Sequence, residues 1–161
     1  IRQRTVQASP PPPRPAPPAR NNLLLQSNGG QVLAASSDLW TRTNDGKEAE
    51  IYWFEPGTEA IFAFKDEKPA AFDTFAVLIP GTNEANLKDF ELQVADSPSG
   101  PYRSIGAFTT QNLKLIRSPY QEFKFDPVTG KYLKVKLLSA HSGRTGRTIM
   151  LSEFRLFGTP N

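Results

Sequence analysis

The sequence of 161 residues contains no cysteine, one histidine and one methionine. Without cysteine the chain forms no disulfide and offers no thiolate as nucleophile or metal ligand. A single histidine excludes the His-x-x-x-His spacing of catalytic zinc sites. The lack of disulfides leaves the cellular compartment undecided, because a domain of this size builds a core without them.

Motifs of catalysis and of membrane insertion are missing as well. The sequence has no Gly-x-Ser-x-Gly elbow and no glycine loop that would cradle a phosphate. It has no run of 18 apolar residues, so no membrane span is predicted. The one catalytic arrangement left open is a pair of carboxylates brought together from distant positions, which needs no local motif. We therefore expect a protein that is not an enzyme.

Proline is concentrated at the start of the chain, where seven of the 15 prolines lie between residues 9 and 20. Such a run favours an extended polyproline II conformation of about 3.1 Å per residue and cannot seed a core. We predict a disordered Pro-rich linker over residues 1–21, attached to an upstream domain, and one folded domain over residues 22–161.

The excess of positive charge lies in the same N-terminal segment as the prolines. Four of the 19 basic residues and none of the 16 acidic residues lie within residues 1–20, so the net charge of +3 becomes about −1 beyond them. The high isoelectric point therefore belongs to the linker. It does not indicate a nucleic-acid partner for the domain.

Short apolar segments fill residues 59–158. Residues 60–64 and 72–79 are apolar on both faces, which favours central, covered strands, whereas residues 90–95 and 132–137 alternate as half-buried strands do. The last segment changes phase, and a β-bulge near Ser152 and Glu153 would reconcile its two halves. The pattern predicts an all-β sandwich or barrel.

Four segments carry a resemblance to a known family. They are residues 22–53, with Asp45-Gly46 and Trp53, and residues 90–102, 131–137 and 151–158. In this order they resemble the coagulation factor 5/8 type C, or discoidin-like, family of the galactose-binding-like superfamily. The resemblance implies a jelly-roll β-sandwich of about eight main antiparallel strands, similar to the family 32 carbohydrate-binding modules. Members bind sugars, phospholipid head groups or proteins, so the fold does not fix the ligand.

The resemblance also implies a structural calcium site. It places the carboxylates of Asp45 and Glu153 close together, and calcium takes six to eight oxygen ligands, including backbone carbonyls. Lys47 stands where metal-binding members often carry Asp or Asn. The alternative is that Asp45 makes an Asx turn before Gly46 and that Glu153 accepts backbone hydrogen bonds.

A glycan ligand needs an exposed aromatic ring and a few fixed polar groups. Trp40 lies in a polar stretch, which predicts exposure in a loop, although it would otherwise cap the core. Trp53, between two aromatic residues, is assigned to core or rim packing. The loop at residues 140–147 supplies His141 and Arg144, side-chain types that bind hydroxyls in sugar-binding relatives.

Arg103 and Asn112 are further candidate ligands. These residues predict a non-catalytic carbohydrate-binding module of an extracellular, cell-surface or periplasmic protein. The alternative is a protein- or anionic-lipid-docking module, in which the basic loop at residues 140–147 acts together with Lys131, Lys134, Lys136 and Arg155.

Overall fold

Eleven β-strands follow one another in residues 20–161, the part of the chain that the computed structural model describes. They are β1 Asn21–Asn22, β2 Gln31–Ala35, β3 Tyr52–Phe54, β4 Glu59–Ala63, β5 Ala70–Leu78, β6 Asp89–Ala95, β7 Arg103–Thr109, β8 Tyr120–Gly130, β9 Tyr132–Leu137, β10 Ile149–Leu151 and β11 Phe154–Pro160. Eight of them have five residues or more. The prediction of an all-β fold with about eight main strands is confirmed.

Two antiparallel sheets form the sandwich. The four-stranded sheet has the order β1-β11-β5-β8, and the five-stranded sheet has the order β2-β4-β9-β6-β7. A separate two-stranded ribbon pairs β10 with β3. One apolar cluster contains side chains from both sheets, including Phe62, Phe75 and Phe90, so the core lies between them.

The buried positions follow from the alternation in the sequence. Phe90, Leu92 and Val94 of β6 are buried, whereas Glu91 and Gln93 between them are half-buried. Side chains alternate between the two faces of a strand, so a period of two places one set in the core. β5 is apolar on both faces because it lies between β11 and β8 and its outer face packs in a second small cluster.

The phase change at residues 152–153 is a break between two strands, and the predicted β-bulge is wrong. β10 pairs with β3 in the ribbon, whereas β11 pairs with β5 in the four-stranded sheet. Between them the Glu153 carbonyl accepts from the Leu78 amide at 3.1 Å, and the Phe154 amide donates to the Thr43 carbonyl at 2.8 Å. The apolar alternation has two phases because the chain leaves the ribbon and enters the four-stranded sheet here. Glu153 lies at this break between β10 and β11, which we call the seam.

The first strand begins at Asn21, the last residue of the predicted linker. Asn21 pairs with Gly158 in β1, and the Arg20 guanidinium forms a bidentate ion pair with Asp73, one of whose bonds measures 3.0 Å. Backbone pairing of two polar residues leaves no alternation in the sequence, so their strand was not predictable. The rest of the predicted linker lies outside the described residues. Within residues 20–161 no helix has the length and apolar character needed to cross a membrane.

Four connecting segments meet at one end of the sandwich, which we call the loop end: residues 36–58, 79–88, 110–119 and 138–148. The register places them there, because Ala35 lies opposite Ala60 and Leu137 lies opposite Phe90. Asp89 is in turn paired with Thr109.

Trp40 is buried at the loop end, so its predicted exposure is wrong. It lies in a 3₁₀ turn at Asp38–Arg42, which Ser37 caps: the Leu39 amide donates to the Ser37 hydroxyl at 3.2 Å. The Trp40 ring centroid is 5.2 Å from that of Phe54 and 6.2 Å from that of Phe62. The turn directs its polar residues outward and its one aromatic residue into the core, which a purely local polarity argument cannot detect.

This packing predicts unequal costs for the two tryptophans. Trp40→Ala should lower the free energy of unfolding by roughly 3–5 kcal/mol, because it opens a cavity among three phenylalanines. Trp53→Ala, at a half-exposed position, should lower it by less than about 1 kcal/mol. Urea denaturation of both variants measures the difference, and equal losses would contradict the assignment of Trp40 to the core.

Candidate functional site

A groove of about 760 Å³ opens at the loop end. Its lining consists of residues 34–37, 39, 53–61, 136 and 147. It therefore lies between the end of β2, the turn joining β3 to β4, and two cationic side chains from β9 and from the loop before β10. A concavity of this size accommodates one or two sugar rings or a comparable small ligand.

Trp53 is the aromatic side chain at the rim of this groove. The three residues of β3 alternate, so Phe54 is buried while Trp53 on the opposite face is 45 % exposed. Met150 of β10 is its register partner in the two-stranded ribbon. The ribbon thus holds an indole ring at the groove with nearly half of its surface free for a ligand.

The turn at residues 55–58 lines the groove. Pro56 precedes Gly57, whose φ of 86° suits glycine, and the Thr58 amide donates to the Glu55 carbonyl at 3.2 Å. The Thr58 hydroxyl oxygen lies 3.3 Å from the indole nitrogen of Trp40, which donates to it, and 2.6 Å from the Ser36 hydroxyl. Trp40 is not part of the lining, but its hydrogen bond fixes Thr58, which is.

Charge in the groove is balanced. Glu55 and Glu59 supply two carboxylates, and Lys136 and Arg147 supply two cations. Carboxylates accept hydrogen bonds from the hydroxyls of a ligand, and guanidinium and ammonium groups donate hydrogen bonds to those hydroxyls. The lining therefore offers a ligand both acceptors and donors. Such a mixture suits a neutral polyhydroxylated ligand better than a strongly charged one.

His141 and Asn112 both lie at the loop end, and one polar atom of each side chain is engaged within the protein. The Asn112 side-chain oxygen accepts from the Asn86 side chain at 3.0 Å and from the Asn83 amide at 2.9 Å. His141 Nε2 lies 3.0 Å from the Thr110 hydroxyl, and burial lowers the pKa of His141, which favours the neutral ring. Both side chains hold the connecting loops together.

The two predicted arginines lie apart from each other. Arg144 is exposed beside Glu84, 3.8 Å away, and thus borders the same loops as His141. Arg103 begins β7 and donates to the Thr129 carbonyl at 3.0 Å. The seven residues of β7 separate Arg103 from the loop end by about 20 Å. Arg103 therefore lies outside the loop end, and a single compact site there does not include it.

Glu153 is a buried acid in the seam between the strands. It is 2 % exposed, and its Oε2 accepts from the Gly46 amide at 2.7 Å. Its Oε1 is buried without a hydrogen-bond partner. Burial raises the pKa of Glu153 to about 8, and the charge of Asp45 acts in the same direction. The structure thus brings the Asp45 loop against Glu153.

The surroundings of Glu153 fit a calcium ion in one respect. A buried carboxylate oxygen without a partner is costly, and a cation would satisfy it. Asp45 Oδ1 accepts from the Lys47 amide at 2.9 Å, as in an Asx turn. No group of three or more His, Cys, Asp or Glu side chains in residues 20–161 has metal-site geometry. Calcium would therefore need backbone carbonyls of the loop to complete its ligand set.

Sequence reasoning did not single out Trp53 as a groove residue. The signal for Trp53 was present, because three consecutive aromatic residues in a strand cannot all face the core. Arg147 belongs to the loop at residues 140–147, which the sequence offered as a source of polar partners, but its place in the groove depends on the path of that loop between β9 and β10.

No protein-family model and no curated protein sequence matches the chain. Solved structures do match. A family 32 carbohydrate-binding module from Clostridium perfringens, in complex with GalNAc-β-1,3-galactose, superposes with a TM-score of 0.62 at 17% identity, over 83% of this chain and 97% of that one.

Two further neighbours show the same similarity. A second family 32 module from C. perfringens, in complex with galactose, has a TM-score of 0.63 at 12% identity, over 86% of this chain and 99% of that one. The C-terminal domain of a chitobiase from Bacteroides fragilis has a TM-score of 0.64 at 12% identity, over 89% and 99%. The chain therefore has the same jelly-roll β-sandwich fold as the family 32 carbohydrate-binding modules, as the resemblance implied.

Proposed function

We propose that this domain is a non-catalytic carbohydrate-binding module in which a sugar ring stacks on Trp53. The observation that carries the proposal is the half-exposed indole at the rim of a polar groove. Sugars present apolar C–H faces that pack on aromatic rings, while their hydroxyls need fixed donors and acceptors. Trp53 supplies the first requirement, and Arg147 and Glu55 supply the second.

The preferred ligand is a neutral glycan, because the groove pairs two carboxylates with two cations. Galactose and GalNAc-β-1,3-galactose, the sugars bound to two of the structural neighbours, are suitable first probes. A single shallow site should bind weakly, with a dissociation constant of roughly 0.1–1 mM.

Weak binding suits a module that is tethered to a larger protein. The Pro-rich segment would join this domain to an upstream domain and raise its effective concentration at a glycan-bearing surface. An extracellular, cell-surface or periplasmic setting follows from that role, because such glycans are found there.

Docking to anionic lipid is a second candidate, favoured by one feature. The loop before β8 exposes Leu113 and, fully, Ile116, with Lys114 and Arg117 beside them. Apolar tips flanked by cations suit a membrane interface. The basic patch weighed as an alternative is incomplete. Lys136 lines the groove together with Arg147, but Lys134 lies over the Tyr102 ring at 4.1 Å and Arg155 belongs to the other sheet.

One crossed experiment separates the two candidates. Trp53→Ala should reduce the affinity for galactose-type glycans at least roughly tenfold, because stacking is lost, and should leave binding to phosphatidylserine vesicles unchanged. Ile116→Ser is the matched control, an exposed apolar residue outside the groove, and should leave glycan binding intact. A glycan array followed by calorimetry measures the first effect, and vesicle co-sedimentation measures the second.

Glycan binding that survives Trp53→Ala would contradict the stacking site, and loss on His141→Ala or Arg144→Ala alone would move the site to the neighbouring loops. Vesicle binding that Ile116→Ser abolishes, without any glycan binding, would favour the second candidate.

We also propose a structural calcium ion held by Glu153 and Asp45 with backbone carbonyls of the loop after Asp45. The buried, unpartnered Oε1 of Glu153 supports it. When bound, the ion would supply a tie between the loop and the start of β11, with no chemical role.

Thermal melts test the calcium site. An excess of calcium over a chelator should raise the wild-type melting midpoint by roughly 5–10 °C, because a ligand of the native state stabilises it. Glu153→Gln should abolish the rise, while Glu55→Gln, an acid of the groove, should retain it. Identical wild-type midpoints with calcium and with chelator would remove the site.

Glu153 also predicts a pH dependence in the presence of chelator. Its pKa is raised from 4.5 to about 8, so the folded state keeps a proton that the unfolded state releases. The stabilisation is complete below about pH 4.5 and is lost as the pH rises through about 8. Denaturation at pH 5 and pH 8 should show wild-type stability falling relative to Glu153→Gln. A difference between the two proteins that is the same at both pH values would contradict the shift.

A further inference from the structure

The side chain of Glu48 joins the loop after Asp45 to the outer face of the four-stranded sheet. Its Oε1 accepts from the Arg155 guanidinium at 2.7 Å and from the Tyr120 hydroxyl at 2.9 Å. These three residues come from the loop, from β11 and from β8, and we call them the clamp. One carboxylate oxygen thus receives two donors, from the two strands that flank β5 in the sheet.

The clamp is itself a packed unit. The Arg155 guanidinium carbon lies 3.7 Å from the centroid of the Tyr120 ring, which is within the range of a cation–π contact. Tyr120 is buried against Ala76 and Leu78 on the outer face of β5. Burial and the hydrogen bond to Glu48 both raise the pKa of the Tyr120 hydroxyl, so it remains a donor.

The loop has two further attachments beside the clamp. The Ser152 hydroxyl donates to the Glu48 carbonyl at 2.9 Å, and the Gly46 amide donates to Glu153 Oε2 at 2.7 Å. Residues 46–48 are therefore held to residues 152–155 at three points. Two of these attachments join the backbone of the loop to the side chains of Ser152 and Glu153 at the strand break. The third, the clamp, joins the Glu48 side chain to side chains of the sheet.

A lone surface ion pair adds little stability, and both Arg155 and Glu48 are partly exposed. The clamp matters because it restricts the conformations of the loop after Asp45. A loop held in one arrangement pays less entropy when its carbonyls and carboxylates converge on a ligand. The ordered segment includes Gly46, whose amide contacts the carboxylate that carries the unpartnered oxygen.

We infer that Tyr120 and Arg155 are positioning residues that, through Glu48, hold the loop in the arrangement that presents Asp45 and Glu153 to a divalent cation. The inference rests on the proposed calcium site. Neither Tyr120 nor Arg155 is itself a ligand in it, and the clamp sets the affinity for the ion through the geometry of the loop.

Tyr120→Phe is the sharpest test, because it removes the hydroxyl that binds Glu48 and keeps the ring beneath Arg155. The matched control is Tyr102→Phe: Tyr102 lies under Lys134 at 4.1 Å and donates to the Pro98 carbonyl at 2.9 Å, away from the loop. Calcium titration by calorimetry, with calcium chloride as the probe, gives the affinity. Hydrogen exchange of the Gly46 amide reports the order of the loop.

Tyr120→Phe should weaken calcium binding by roughly tenfold and speed exchange at Gly46, with Tyr102→Phe unchanged in both. Melting midpoints in chelator should be nearly equal for the two variants, which separates positioning from a general loss of stability.

Wild-type uptake of calcium with unchanged affinity in Tyr120→Phe would overturn the clamp and leave the calcium site standing. A wild-type protein that takes up no calcium would overturn both.

Discussion

The packing of Trp40 beneath the turn at residues 55–58 is the interaction on which the candidate site depends. The indole fills the core at the loop end, among Phe54, Phe62 and Phe154, and its nitrogen donates to the hydroxyl of Thr58. The turn that lines the groove is thereby fixed to the core of the sandwich. With Trp40 and Phe54 occupying the interior, the alternation of β3 leaves Trp53 facing outward.

The strand break between β10 and β11 organises the other half of the loop end. Because the chain leaves the ribbon and enters the four-stranded sheet there, Glu153 is buried in the seam, and Arg155 emerges on the outer face. One short segment thus supplies both a carboxylate without a full set of partners and a cation that engages the loop after Asp45. The groove and the seam are attached to the same rigid sandwich, so loops of irregular structure hold fixed positions.

The sequence predicted the layered β fold because the alternation of apolar residues is set by the two faces of each strand, as in β6 and β9. It also predicted, by resemblance, that Asp45 and Glu153 belong together. It failed where orientation depends on tertiary structure. Trp40 has polar neighbours, but a 3₁₀ turn directs them outward and buries the ring. Arg103 and Asn112 lie nine residues apart in sequence, yet an extended strand separates them by most of its length. The clamp joins residues 48, 120 and 155, which are far apart in the chain, so no local sequence pattern predicts their contact.

Acrylamide quenching of tryptophan fluorescence in single-tryptophan variants tests the central assignment most directly, because the chain has two tryptophans. Trp53, observed in Trp40→Phe, should be strongly quenched, and saturating glycan should protect it. Trp40, observed in Trp53→Phe, should resist quenching with or without glycan. A readily quenched Trp40, or a Trp53 whose quenching does not change when glycan binds, would contradict the proposed stacking site.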